Sequence, residues 1–567
     1  MNLAAIYHRP MSEFAFAMSE TEYVFRLRSA KDDLKSVRFA FADRASMTPK
    51  FTFDVRDMER IASNKYYDWY EITIESEFER IGYYFELNDG ETTKYYYGDG
   101  FFDEWDAERP DYFQLPFNLR SDRLEVPEWV KDAVVYNIFP DSFADGKRHI
   151  SGKPSKATWE GEECRSLLGG SVKGITENLD YIKDLGFNCV YLNPFFAAAS
   201  YHKYDLIDYF HVDPTRGEDK DFKELVETAH KMGMKVIIDG VFNHTFSGHK
   251  FFKDVLEKGK DSEYFDCFYD LGSNHPKFPA RGEMPEYTCF AYVAHMPKTN
   301  TANPFLRDYF CEVGAYWVKE YDVDGWRLDV ANEVDDQFLR AFRNSVKAVK
   351  KDAIVLGEVW ENASHYINGL MMEGAMNYDF RRFAKDFVAT GKIDAEDFAA
   401  GMDNMLMRYP KQANFAELNL LDSHDVSRFF SVCGEDLDKM ELCILLQMTF
   451  PGMPCVFYGD EQGLTGVTEP EYRRPMIFED KSPLFEVYKK LIKLRTQNKA
   501  LRYGEFRTLV AKDNLYGFER KLDGESIKVF VNAGNSPARI DDMGTVIADK
   551  NHRDGTLDSY GYAVIRK

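Results

Sequence analysis

The 567-residue chain is short of positive charge: 72 Lys and Arg face 95 Asp and Glu, for a net charge of −23. Nucleic-acid binders carry basic surfaces that displace phosphate counterions, so that class is excluded. Docking on anionic membrane is excluded on the same ground. There is no run of about 18 apolar residues, so no spanning helix is expected. The opening MNLAAIYHRP lacks a basic stretch followed by an apolar core, so no secretory signal is expected. Cysteine is scarce and scattered (Cys164, Cys189, Cys267, Cys289, Cys311, Cys433, Cys443, Cys455), with no CxxC. That spread opposes a disulfide framework or a zinc site and fits buried free thiols in a cytoplasmic protein. Also missing are a GxSxG elbow, a Gly-rich phosphate loop and a dinucleotide fingerprint, as well as internal repeats and low-complexity tracts.

What is abundant is aromatic, at 15% of residues. Rings fill cores, and their faces also stack on sugar rings. Residues 1–122 read as all-β, because YYDWYEITIE and RIGYYFELNDGETTKYYYGDG carry aromatic and β-branched runs. Asn88, Asp89 and Gly90 predict a tight hairpin of the primed type. The expected product is a β-sandwich. Its aromatic load, including Tyr66, Tyr67, Trp69, Tyr70 and Tyr95 to Tyr97, is more than a small core readily buries. Some rings are therefore candidates for a homodimer surface.

From about Glu128 the pattern becomes strand then helix, repeatedly. In NPFLRDYFCEVGAYWVKEYDVDGWRLDV, Asn303 is placed to cap a helix and Pro304 to open it. Phe305, Tyr309, Val313 and Trp317 are expected on its core face. Near-continuous apolar strands alternating with helices predict a parallel sheet covered by helices. About eight such units favour a (β/α)8 TIM barrel, with an open doubly wound sheet as the alternative. This catalytic barrel is expected over residues 123–500. The segment 240–302 is too long for one connection and predicts a small inserted domain after strand 3. Residues 501–567 return to period two and predict a C-terminal antiparallel β-domain.

Chemistry in such a barrel sits at the carboxyl ends of the strands. Those ends carry acids: Asp239 in VIIDG, Asp329 in DGWRLD, Glu358 in AIVLGE, and Asp422 with Asp425 in LNLLDSHD. Like charges gathered on one rim cost stability, and they are retained mainly where shifted pKa values are needed. Carboxylates beside an Arg, flanked by His and aromatics, suit glycosidic bond cleavage, in which one acid attacks the anomeric carbon and a second protonates the leaving oxygen.

Four ordered segments, DGVFNH (Asp239 to His244), GWRLDVANEV (Gly325 to Val334), GEVW (Gly357 to Trp360) and LLDSHD (Leu420 to Asp425), resemble the signatures of the alpha-amylase family. The resemblance covers about residues 128–567. It implies Asp329 as nucleophile, oriented and kept ionised by Arg327, Glu358 as general acid/base, and Asp425 beside His424 as a binder of sugar hydroxyls. It implies His202 and His244 at the sugar ring, Tyr204 stacked beneath it, and Trp360 among the substrate-binding residues. Arg473 with Glu469 matches an Arg–Asp pair that grips the next sugar, with Glu in place of Asp. MPKTN (Met296 to Asn300) and ANEV (Ala331 to Val334) are similar to the neopullulanase, cyclomaltodextrinase and maltogenic amylase group. In that group Glu333 would face the acceptor side. The N-terminal domain would form a homodimer and narrow the partner's cleft, favouring cyclodextrins and short α-glucan oligosaccharides. No cofactor is expected. Relatives that bind calcium show FANGD and GGD, whereas this chain has FADGK (Phe143 to Lys147) and GGS (Gly169 to Ser171), losing two oxygen donors. An α-1,6-acting hydrolase, a glucosyltransferase on the same barrel, and a non-catalytic glucan-binding protein remain as alternatives.

Overall fold

Aromatic and β-branched segments form two facing antiparallel sheets at the N-terminus of the computed structural model. It describes all residues except 47–51, 99, 107–110, 153–166, 281, 470, 480–481 and 542–543, so Cys164 lies outside the described residues. One sheet orders Ala15–Ala17, Glu22–Ala30, Tyr67–Glu75 and Glu59–Ser63. The other orders Asp54–Asp57, Ser36–Asp43, Ile81–Asn88, Thr93–Tyr97 and Gly100–Phe102, with Phe113–Leu115 also paired to Ile81–Asn88. Rings from both sheets fill the space between them; Phe25 stacks on Phe39 at 4.4 Å. Trp69, Tyr70 and Tyr97 are buried, while Tyr66 is 66% exposed. The predicted tight hairpin is looser than expected. Asn88 pairs with Thr93, leaving a four-residue loop, and of Asp89 and Gly90 only the glycine takes positive φ, at 97°. The Asp89 carboxylate accounts for this by accepting the N–H groups of Glu91 and Thr92, which stabilises the wider turn.

Eight parallel strands follow: β1 (Val135–Ile138), β2 (Cys189–Leu192), β3 (Lys235–Gly240), β4 (Gly325–Leu328), β5 (Ile354–Gly357), β6 (Gly374–Ala375), β7 (Leu418–Leu420) and β8 (Met453–Phe457). Their order is β6-β5-β4-β3-β2-β1-β8-β7. The two ends meet where Met376 bridges Leu418 and the Asn377 N–H donates to the Leu418 carbonyl at 2.8 Å. The sheet therefore closes into a barrel, and the open-sheet alternative falls away. Most strand residues are buried on both faces, which is why their sequences run apolar without alternation.

Helix α1 (Pro304–Tyr321) starts as its sequence dictates, with the Asn303 side chain accepting the Leu306 N–H at 3.2 Å and Pro304 in the first turn. Its core face differs from the expected one. Leu306, Phe310, Val313 and Trp317 are buried, whereas Phe305 is 51% exposed. Phe305 and Tyr309 turn to a second partner, Phe251 and Tyr264 of the segment inserted after β3. The helix packs on two bodies, so its apolar stripe is wider than one face. The inserted segment carries α-helix Lys250–Lys258 and returns to the barrel rim through the bridge His244 to Lys298.

The C-terminal sheet orders Glu505–Lys512, Leu515–Leu522, Glu525–Asn532, Thr556–Arg566 and Ala538–Arg539, with Thr545–Arg553 also paired to Thr556–Arg566. Ion pairs and hydrogen bonds tie the three parts together. Glu71 of the N-terminal sheets holds Arg26 at 2.8 Å and Lys411 of the barrel at 2.6 Å, and Lys411 reaches Glu505 at 3.1 Å. Asp403 accepts from the Ser63 N–H and the Thr508 hydroxyl, one from each flanking part.

Candidate active site

The carboxyl ends of β3, β4 and β5 place three acids around one cation. Arg327, inside β4 and fully buried, donates through Nη1 to Asp239 at 2.8 Å and to Asp329 at 2.9 Å. Its Nη2 pairs with Glu358 Oε2 at 2.8 Å. The spacing follows from the strand period: Arg327 and Asp329 are two apart and so share a face. Asp239 is further held by the hydroxyls of Tyr191 (2.8 Å) and Tyr204 (3.0 Å).

Glu358 is fixed on three sides. The Val330 N–H donates to its Oε2 at 3.0 Å. Val330 follows Asp329 and sits at φ 45°, ψ 49°, a left-handed conformation costly for a β-branched residue. That turn aims its N–H at the acid. The Trp360 indole N–H donates to Glu358 Oε1 at 3.1 Å, and the Tyr378 hydroxyl lies at 3.5 Å. The Trp360 and Tyr378 rings stack at 3.9 Å and 9°. Trp360 is still half exposed, with one face free for a ligand.

The facing wall comes from the ends of β7 and β8. Asp425 Oδ2 lies 2.9 Å from His424 Nε2, and Asp425 Oδ1 lies 3.5 Å from Arg473 Nη2. Arg473 also donates to the His424 carbonyl (2.7 Å), to Tyr201 (2.8 Å) and to Glu469 (2.9 Å), so glutamate at 469 still makes the ion pair. Tyr204 lies flat against His424 at 5.2 Å and accepts from its Nε2–H. Asn193 lies among Asp239, Tyr204 and His424 and links the two walls.

The other predicted residues sit nearby in different roles. His202 Nδ1 accepts the Tyr204 N–H at 3.0 Å. His244 is buried under Phe290, bonding Asn243 through Nδ1 and donating Nε2–H to the Tyr204 carbonyl. Burial drops its pKa to about 3, so it stays neutral. Glu333 is exposed on the turn after β4, where Lys298 of the MPKTN segment grips its carboxylate and its carbonyl, both at 2.8 Å. Asp422 accepts the Phe429 N–H at 2.7 Å, whereas the acids paired to Arg327 are Asp239, Asp329 and Glu358. The sequence reading missed Tyr191, Asn193, Lys298, Val330 and Tyr378. Of these, Lys298 and Val330 stood inside quoted motifs, while the roles of the others follow only from packing.

Burial, then the charges of Glu358, Asp239 and Asp425, push the Asp329 carboxyl well up. Arg327 pulls it down but is outweighed, so the expectation that Arg327 alone keeps Asp329 in the ordinary carboxylate range is corrected. At Asp425 burial opposes ionisation, but His424 and then Arg473 overcome it and hold the carboxyl below its usual range.

Residues 137–479 match the family description "Alpha amylase, catalytic domain", and residues 1–118 match "Alpha amylase, N-terminal ig-like domain". The chain belongs to the alpha-amylase family. It is a glycoside hydrolase of that family, 40% identical over 552 residues to a cyclomaltodextrinase of Geobacillus thermopakistaniensis, covering 95% of this chain and 92% of that one. It is 39% identical to neopullulanase 2 of Thermoactinomyces vulgaris, covering 94% and 91%. A solved structure titled cyclomaltodextrinase superposes with a TM-score of 0.90 at 34% identity, covering 100% of this chain and 98% of that one. The calcium segment of some alpha-amylases does not fit a cation here. Lys147 pairs with Asp180 at 2.5 Å, Ser171 caps the following helix, and the two Asp145 oxygens are taken by His149 and the Ser151 N–H.

The pKa arrangement gives a signed expectation. The Glu358 charge raises Asp329, so Glu358→Gln should move the acid limb of kcat/KM to lower pH. An α-glycosyl fluoride, whose leaving group needs no proton, measures this without the acid. An acid limb that stays put or moves upward contradicts the account in which the Glu358 charge raises Asp329.

Proposed function

We propose that the protein is a retaining α-glucan hydrolase acting on α-1,4 bonds of cyclodextrins and short maltooligosaccharides, with pullulan and starch as further substrates. The observation that carries this is the single guanidinium holding both Asp329 and Glu358. Carboxyls on one fork stand close together, as a retaining pair of about 5–5.5 Å requires. Asp329 attacks the anomeric carbon while Glu358 gives its proton to the departing oxygen, and the bond to the leaving sugar breaks. Glu358 then takes a proton from water, which displaces Asp329 and releases the α-anomer. Asp425 and Arg473 hold sugar hydroxyls, and Tyr204 supplies a flat face beneath the ring, with His202 and His244 in support. The exposed face of Trp360 and the Lys298–Glu333 pair lie on the acceptor side, where a second sugar in place of water gives transglycosylation. No step uses a metal, in keeping with the Lys147–Asp180 pair.

We further propose that the protein works as a cytoplasmic homodimer. Seven described cysteines are free thiols, which suits a reducing compartment. Tyr66, Trp105 and Phe117 leave exposed rings on the N-terminal part, and such patches mark partner surfaces. A partner's N-terminal part over the cleft would admit small or cyclic glucans and hinder branched starch.

NMR of the first product from a maltooligosaccharide, in excess EDTA, should show the α-anomer at an undiminished rate. Asp329→Asn should fold and lose about four orders of magnitude or more in kcat. A β-anomer, or a rate restored only by calcium, refutes the corresponding assignment.

Sedimentation should show a dimer. Dilution through its dissociation range should lower the cyclodextrin-to-starch rate ratio severalfold, by roughly a factor of five. A ratio that is constant through that range refutes the capping role.

A further inference from the structure

The inserted segment returns to the barrel through Lys298, whose backbone stays with that segment. The Lys298 N–H donates to the Thr288 carbonyl at 3.0 Å, and the Lys298 carbonyl accepts the Tyr269 N–H at 3.1 Å. The side chain goes the other way, into the barrel rim, and is only 11% exposed. Its ammonium donates to Asn243 Oδ1, just past β3, at 3.3 Å. It also donates to the carbonyl and to Oε2 of Glu333, past β4, each at 2.8 Å. Asn243 is oriented for this contact. Its Nδ2 faces His244 Nδ1, which accepts because the other ring nitrogen donates to the Tyr204 carbonyl, and Oδ1 is left for the ammonium. Three acceptors converge on one nitrogen, and only the protonated amine has three N–H groups to meet them.

The turn that Lys298 grips carries the strained residue beside the nucleophile. Val330 is left-handed, and such a conformation persists only where its surroundings over-determine it. On the near side the restraint is the acid itself. The Val330 N–H donates to Glu358 Oε2 and the Ala331 N–H to the Glu358 carbonyl, each at 3.0 Å. Within the turn the Glu333 N–H returns to the Val330 carbonyl at 3.0 Å. On the far side the restraint comes from the MPKTN stretch and the residue after it. Lys298 holds the Glu333 carbonyl, and the buried Thr301 hydroxyl accepts the Asp335 N–H at 2.9 Å.

We propose that Lys298 is a positioning residue for the general acid: a cation carried by the inserted segment that locks the Val330–Glu333 turn and so keeps the Val330 N–H on Glu358. This rests on Glu358 being the acid of the reading above. The ammonium's three hydrogen bonds go to Asn243 and Glu333, so its influence on Glu358 passes through the turn. The returning end of the inserted segment thereby governs proton transfer without touching the reacting atoms.

The test compares two leaving groups. The departing sugar of a maltooligosaccharide needs a proton from Glu358, whereas the fluoride of an α-glycosyl fluoride needs none. On each substrate kcat/KM reports the transition state in which the bond to the leaving group breaks. Lys298→Met keeps the apolar stem and removes the ammonium. It should lower kcat/KM about tenfold or more on the maltooligosaccharide, and by no more than about threefold on the fluoride. A lysine that only staples the inserted segment to the barrel would lower both alike. Equal losses on the two substrates, or no loss on the maltooligosaccharide, overturn the proposal. Thr301→Val removes the other half of the clamp and keeps its shape. It should lower kcat/KM about threefold on the maltooligosaccharide and leave the fluoride rate unchanged. That variant decides the matter if Lys298→Met does not fold, and equal losses or none there overturn the proposal. A wild-type protein that cleaves neither substrate would overturn the functional reading and this proposal with it, whereas an active wild type without the split overturns the proposal alone.

Discussion

The site depends on one buried guanidinium. Arg327 has no solvent, so its charge must be answered by protein, and three carboxylates from three adjacent strands answer it. Arginine suits this place because a planar fork reaches several carboxylates at once and holds their geometry, which a lysine point charge cannot do. Three acids on one cation leave an excess of negative charge, and burial together with that excess raises the Asp329 carboxyl.

Much of this was legible in the sequence because barrel strands place their terminal residues on one rim. Asp239, Asp329, Glu358 and Asp425 could be found by reading strand ends, and Arg327 by its two-residue spacing from Asp329. Asp422 obeyed the same rule and took a different partner, because an Asp two residues past a strand can cap a neighbouring turn, as it does at Phe429. The helix face around Phe305 was misjudged because periodicity assumes one packing partner and the inserted segment supplied a second. The hairpin at Gly90 was misjudged because side-chain bonds from Asp89 compete with a two-residue turn. The left-handed Val330 and the Trp360–Tyr378 stack carry no local signal; both arise from contacts between distant segments.

The account's central claim is that the Arg327 fork, and not a positive charge alone, organises the catalytic carboxylates. Arg327→Lys keeps the charge and removes the fork. In a folded variant, verified by circular dichroism, kcat/KM on a maltooligosaccharide should fall at least about a thousandfold, roughly 4 kcal/mol of transition-state stabilisation. A folded lysine variant within tenfold of wild type would contradict the account.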